Sequence, residues 1–465
     1  MTDSFAARAG RLVVRALTRP VKKHGSIPRV SGWIPLLGAP TALLVDSIEF
    51  QRRGHAALGE VFTTKLFGLD LVFVGGPEAI ARFGGAGDEL DVIGAYKRLL
   101  GKLLGEELFM EIGSEALRAL SGASVRRQSA GLAELAAELV QKRVGDGGEI
   151  DVLALANGIV MHMACRFVCG DRIERSKCDE LAELFHLLES DFSVAGMFLP
   201  IGTPSLKRRR AARDRILAVF EAEVRRAAAE GTGAPDDYMQ AVLDQSIADR
   251  NAPTDPEIRA AGLAVMGAVF GAHTNTAMSL AASLADLLAH PDVLARIEAE
   301  QAEVLGSAPL DLSTLCRMPL LLRAINESMR LHGNGGLWRL TTRDIEIAGH
   351  TIAKGSLVGT SMGLVNLDGD VYRDATRYDP DRYAQMQVDE LQSPPVKDRR
   401  FGAFGIGRHL CPGRRLAYTM VGTALVVLVR DYRLDVVARP RGWFTLMTAG
   451  IARPLGKFVV RATPR

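Results

Sequence analysis

From about Glu257 to Ala289 the sequence stays apolar and helix-forming without a break, and is rich in Ala and Gly through its middle. Ordinary globular helices run about 8–20 residues. A helix this long, apolar on most of its faces, has to be wrapped by other elements on nearly every side. The chain is therefore expected to build a large, mainly α-helical body around one central helix. Its 465 residues, 48% of them hydrophobic, supply ample material for such a core.

The flanking segments agree. Residues from about 113 to 330 show mainly helical periodicity, as in Leu132–Val140 and Ala211–Ala229. Upstream, Val61–Phe67 and Leu71–Val74 alternate and carry β-branched and aromatic residues, which reads as a β-hairpin around Gly68–Asp70. Short strands are expected at Asp344–Ile352, Leu357–Thr360, Leu434–Val437 and Lys457–Arg461. The fold class is thus mainly α with small β-sheets. A Pro/Gly-punctuated entry at Pro28–Pro40 precedes the body, and no repeat or linker divides the remainder of the chain. The expected organisation is a basic arm over residues 1–27 and one unit over 28–465.

Net charge is only +3, which gives no case for nucleic-acid binding. It is unevenly spread: Arg8, Arg11, Arg15, Arg19, Lys22, Lys23 and Arg29 stand against Asp3 at the start. That arm reads either as a solvated tail or as a contact with an anionic membrane surface. No apolar run approaches the ~20 residues that span a bilayer, and no signal-peptide pattern opens the chain. Five cysteines, odd in number and scattered, form neither a disulfide framework nor a zinc pattern. A reduced, cytoplasmic setting is expected, with peripheral membrane contact left open. Met161-His-Met-Ala-Cys165 could be a soft-metal site, but on an apolar helix it reads as core packing.

Among the cysteines, Cys411 stands apart, in the run Phe404-Gly-Ile-Gly407-Arg408-His409-Leu-Cys411-Pro-Gly413. Glycines allow tight turns there, cations favour the ionised thiol, and the helical run from Arg414 places it near a helix N-terminus. A lone thiolate in a large helical chain is a candidate axial ligand for haem iron; taken alone, it reads more readily as a buried structural cysteine. Two further motifs bear on it. Glu327 and Arg330 share a face of the otherwise apolar helical run Leu320–Leu331. Tyr378-Asp-Pro380-Asp-Arg382-Tyr383 supplies another arginine that can join the pair.

In this order the three motifs resemble those of the cytochrome P450 superfamily, over nearly the whole stretch from Pro28 to Arg461. The resemblance implies a single two-lobed unit with the long helix lying over a haem b cofactor. Cys411 would be its iron ligand, in a loop that includes Phe404 and Gly413, and Glu327, Arg330 and Arg382 a structural triad. It also implies a monooxygenase that oxidises a lipophilic small molecule with dioxygen and electrons from a separate ferredoxin or other reductase partner. No Gly-x-Gly-x-x-Gly fingerprint follows a strand, so no reductase domain is expected within the chain. Lys397, Arg399, Arg400, Arg408, Arg414 and Arg415 offer a basic surface to an acidic donor. His409, where an arginine is commoner, is similar to the sterol 14α-demethylases, as is Tyr96 opening a loop before the third helix. By that resemblance Tyr96, Arg127, Arg339 and His409 would meet the haem propionates, whose charges need paired donors.

The chain departs from the family on the long helix. Counting back from His290-Pro291 puts Asn275 where an alcohol usually stands and Thr274 where an acid stands. An amide donates hydrogen bonds but does not relay a proton as a hydroxyl does. Asparagine here is similar to the steroid 7α-hydroxylases and to prostacyclin synthase, so a haem-thiolate isomerase or dehydratase is the alternative. A one-residue slip restores Thr274 or Thr276 as the alcohol. His273 is either a proton carrier or a core histidine. The pocket is expected from residues 91–108, Gly267–Thr276, Gly333–Leu340 and Met447–Ile451, with Gly271, Gly333, Gly335 and Gly336 leaving space. The apolar loop Met197–Pro204 and the cluster Lys207–Arg210 read either as an entrance region or as a solvated helix start.

Overall fold

The computed structural model describes residues 12–15, 17–21, 27–32, 38–66, 69–109, 114–120, 122–171, 173–189, 204–232, 237–306, 308–387, 403–444 and 452–465. Most of the basic arm, the Met197–Ile201 stretch, Lys397–Arg400 and Met447–Ile451 lie outside them. Eight helices carry the site: α1 (Val92–Leu104), α2 (Gly122–Val144), α3 (Val152–Cys169), α4 (Arg175–Glu189), α5 (Tyr238–Ser246), α6 (Asp255–Ala289), α7 (Pro319–His332) and α8 (Arg414–Asp431).

The long helix is α6, two residues longer at its start than the hydrophobic pattern indicates. Thr254 caps it: its backbone N–H donates to the Glu257 carboxylate (2.8 Å), while its own hydroxyl accepts from the Glu257 N–H (3.5 Å). It ends at His290, where Pro291 opens the next helix. Around it, α3 packs along one flank and Pro204–Glu230, α7 and α8 on others, while α2 closes the bundle against α3 and α8. Nearly all of α8 from Leu416 to Val429 is buried. Helix α3 is long and apolar enough to cross a membrane, but 78% of it is buried inside this bundle. Its apolarity is what a central packing position requires. Met161, His162, Met163 and Cys165 all lie in that core, and none of the five cysteines is joined in a disulfide.

Half of the strands among the described residues gather in one sheet, of order β1-β2-β3-β4-β10-β7-β5. Its members are β1 (Thr18–Val21), β2 (Arg29–Gly32), β3 (Val61–Leu66), β4 (Leu69–Val74), β5 (Leu90–Asp91), β7 (Gly336–Thr341) and β10 (Leu357–Ser361). The expected hairpin is β3–β4, paired from Val61↔Val74 to Leu66↔Leu69. Strand β1 falls within the supposed basic arm yet pairs with β2 at Thr18↔Gly32, and Val14 beside it is fully buried. The arm is therefore partly built into the sheet. Small sheets add β6 (Gly148–Asp151) with β11 (Tyr432–Ala438) and β14 (Val459–Pro464), β8 (Ile345–Ile347) with β9 (His350–Ile352), and β12 (Trp443–Phe444) with β13 (Arg453–Pro454).

The acidic-basic pair on α7 is deeper than periodicity indicates. Glu327 and Arg330 are both fully buried, with Arg330 Nε and Nη2 on the two carboxylate oxygens at 2.9 and 2.8 Å. Arg382 Nε and the Asp379 N–H each donate to Glu327 Oε1 at 2.9 Å. Arg330 also donates to the Asn366, Ala375 and Arg377 carbonyls. The triad thereby pins residues 366–382, which have little regular structure, to the base of the body.

Candidate active site

Between α6 and the Cys411 loop lies a cavity of about 470 Å³. Its walls join segments that are far apart in sequence: Tyr96 and Leu100 from α1, Gly267–Ser279 from α6, Met329 and Gly333–Leu337 around β7, and Phe404–Ala417.

The Cys411 loop is shaped by two glycines with positive φ, Gly405 (+87°) and Gly407 (+68°). A Cβ on Gly407 would fall 1.8 Å from the Gly84 carbonyl oxygen, so only glycine fits. The Cys411 N–H donates to the Phe404 carbonyl (2.9 Å), and the Phe404 ring rests on that of Tyr418 at 5.4 Å between centroids. The Tyr418 hydroxyl in turn donates to Asn326 on α7, tying the loop to the buried triad helix. Gly413 caps α8, and a Cβ there would touch Cys411 Sγ at 3.9 Å. Burial pushes the Cys411 thiol up, against the pull of the Gly413 N–H and Arg414. The surroundings do not by themselves ionise it, contrary to the reading of its flanking cations. Desolvation outweighs a helix terminus and one nearby guanidinium.

At one edge of the cavity three expected donors come together. Arg339, on β7, is 3% exposed, lies over the Phe83 ring at 5.1 Å, and has a buried Nε with no hydrogen-bond partner. Desolvation lowers its pKa to about 10, with Tyr96 opposing. Tyr96 lies inside α1 rather than opening a loop, stacked on Phe109; burial raises its pKa and Arg339 opposes. His409 is pushed down by burial, then by Arg339 and Arg408, and Asp91 opposes. Arg127 does not join them. It is exposed on α2, donating to Ser124 Oγ (3.2 Å) and lying 4.0 Å from Asp237. Ser124, Val125 and Ser129 hold the inner face of α2, and at 100° per residue position 127 falls on the outer one.

Opposite the thiol, Gly271, Thr274, Asn275 and Thr276 line the cavity. A Cβ on Gly271 would meet nothing within 4 Å, so this glycine does leave space. Gly333 does not: a Cβ there would sit 2.3 Å from the Met329 carbonyl. The Asn275 carbonyl accepts from Ser279 Oγ (2.8 Å), and Asn275 itself lines the cavity. His273 is turned away, 1% exposed, its ring 6.0 Å from Phe185 of α4. Burial lowers its pKa to about 4, slightly offset by the Asn157 backbone. It is a core histidine, because the helical phase that puts Gly271, Thr274 and Asn275 on the cavity sends position 273 toward α3 and α4. Among the lining residues that the sequence does not point to are Tyr238 at the start of α5 and Arg453 on β13. Neither sits in a motif, and Arg453 falls just past the Met447–Ile451 stretch named for the pocket.

The family model that describes cytochrome P450 matches residues 116–460. Fold, thiolate loop and buried triad agree with it, and the chain belongs to the cytochrome P450 family. It is a haem-thiolate oxidoreductase of the monooxygenase type, whose iron is ligated by a cysteine. Among its relatives are the sterol 14-demethylase of Arabidopsis thaliana (25% identical, over 92% of this chain and 90% of that protein) and the lanosterol 14-alpha demethylase of Bos taurus (27%, over 92% and 86%). The obtusifoliol 14-alpha demethylase of Sorghum bicolor is also similar (27%, over 91% and 88%). In fold it is similar to the retinoic-acid-bound cyanobacterial CYP120A1, with a TM-score of 0.74 and 20% identity over 97% of this chain and 100% of that one.

Proposed function

We propose that Cys411 is the cysteine that ligates haem iron, and that the chain oxidises a lipophilic, sterol-like molecule with dioxygen and electrons from a separate protein. The observation that carries this is the placement of the Cys411 thiol and the α6 segment Gly271–Thr276 on walls of one apolar cavity. The residues fit the group. Phe404 and Gly413 frame the sulfur, and Arg339, Tyr96 and His409 offer donors for the haem's two acidic side chains, Arg339 with a buried Nε otherwise unsatisfied. Bound there, thiolate-ligated haem supplies dioxygen activation.

The other roles belong to the chain. Leu100, Phe109, Leu337 and Met362 exclude water and hold an apolar substrate. Thr274 and Thr276 bring hydroxyls that can pass a proton, while Asn275 between them holds a water by its amide. His273, facing the core, has no part in that transfer. The three relatives named above are all called 14-demethylases, which favours oxidation over the isomerase reading that Asn275 raises. The electron donor is a ferredoxin or similar acidic protein meeting the side of Arg408 and Arg414, and the location is cytoplasmic with peripheral membrane contact.

The reduced carbon-monoxide complex tests the ligand. Wild type is expected to show the long-wavelength Soret band of thiolate ligation, and Cys411→Ala to lose it. A variant that kept the band would remove the assignment. Labelled dioxygen with a ferredoxin and its reductase tests the reaction: label in an oxidised sterol supports it, and turnover of a hydroperoxide without reductant counts against it.

A further inference from the structure

Helix α5 begins at Tyr238, where Asp237 is held to α2 by Gln128 Nε2 (3.5 Å) and by Arg127 at 4.0 Å. It packs against Ser114–Ala119, α3 and α6, and where these elements meet, Leu120, Val168 and Tyr238 line the cavity. Tyr238 is 1% exposed, so its ring is packed away. Its hydroxyl nevertheless makes no hydrogen bond among the described residues. Nor is it sealed like the hydroxyl of Tyr383, which is buried without a partner or access. Burial alone pushes its pKa up to about 12, so it stays protonated and able to donate. Buried tyrosines normally find a partner for the hydroxyl. One that is held rigidly at a cavity wall with none is set to receive one from whatever fills the cavity.

We propose that the Tyr238 hydroxyl donates a hydrogen bond to an oxygen of the substrate, making this a site for lipophiles that carry a hydroxyl or carbonyl group away from the carbon that is oxidised. This rests on the haem-thiolate reading above and narrows its substrate class. The surrounding wall, Leu120 and Val168, is apolar, which favours a neutral oxygen over a charged group.

A probe that needs no knowledge of the natural substrate is a series of 1-alkylimidazoles of increasing length, each ending in either a methyl or a hydroxyl group. All bind through the imidazole to iron in the holoenzyme and report by their Soret shift. At the length that reaches Tyr238, wild type is expected to bind the hydroxyl-ended member roughly five- to tenfold tighter, relative to its methyl-ended partner, than at neighbouring lengths. Tyr238→Phe keeps the ring packing and is expected to abolish that maximum while leaving the methyl-ended series unchanged. The proposal is overturned if wild type shows no such maximum, or if Tyr238→Phe retains it. Loss of haem from Tyr238→Phe would also overturn it, since the hydroxyl would then serve the cofactor. Absence of a thiolate spectrum in wild type would instead sink the haem-thiolate reading itself.

Discussion

His273 shows what burial does to a single ionisable group on α6. The folded protein holds its imidazole neutral, with a pKa near 4 against 6.5 in the open chain. Between those values the unfolded chain binds the extra proton, so acidification favours unfolding. Stability is expected to be full above pH 6.5, to fall by roughly 3 kcal/mol on the way to pH 4, and to lose nothing further from this group below that. His273→Met removes the titration, so its melting temperature should depend less steeply on pH across that window than wild type. Equal slopes would show that the imidazole is not held neutral. At this scale, legibility in the sequence followed how much each role depends on local spacing. Cys411, Phe404 and Gly413 lie in one loop, and Glu327 and Arg330 are one turn apart, so their relations are written in short range. Arg127 stands on α2, where a single position of helical phase separates the buried face from the solvent-facing one. Tyr238 and Arg453 reach the cavity only because distant elements meet there, and no local pattern encodes that.

Among elements, α7 bears the most concentrated electrostatics. Glu327 faces Arg330 and Arg382, and all three are largely withdrawn from water. Glu327→Gln preserves shape but leaves two guanidinium groups without their anion, which is expected to cost about 3–5 kcal/mol. Urea unfolding should show the midpoint shift, and a loss under about 1 kcal/mol would mean that the carbonyls of Asn366 and Ala375 hold Arg330 without the carboxylate. Asn275→Thr probes α6 differently. Its side chain lines open space, so the fold should be untouched while the share of reducing equivalents entering product rises severalfold. An unchanged share would show that Thr274 and Thr276 already carry the proton. Helices were the elements most legible in advance, because α6 and α8 announce themselves by unbroken apolar periodicity. Strands β1, β5, β6 and β7 were not anticipated. They run two to six residues, and β5 and β6 owe their pairing to β7 and β14, hundreds of positions away.

At the scale of the molecule, the cavity is where elements distant in sequence meet. Its walls draw on α1, α3, α5, α6, α7, α8, β7, the Cys411 loop and β13, whereas α2 and the sheet β11-β14-β6 pack without touching it. A ligand that binds only the folded state stabilises the elements it touches, by about 4 kcal/mol at a thousandfold excess over its dissociation constant. Haem should therefore act unevenly. Hydrogen exchange compared between haem-loaded and haem-free protein is expected to show strong protection at residues 96–109, 267–279, 333–340 and 403–417. Little change is expected in β11, β14 and the buried face of α2, which are packed already. Uniform slowing throughout would mean that haem is needed to fold the whole chain. Exchange confined to the cavity walls would instead describe a helical body that folds on its own strength and a thiolate loop that waits for its iron.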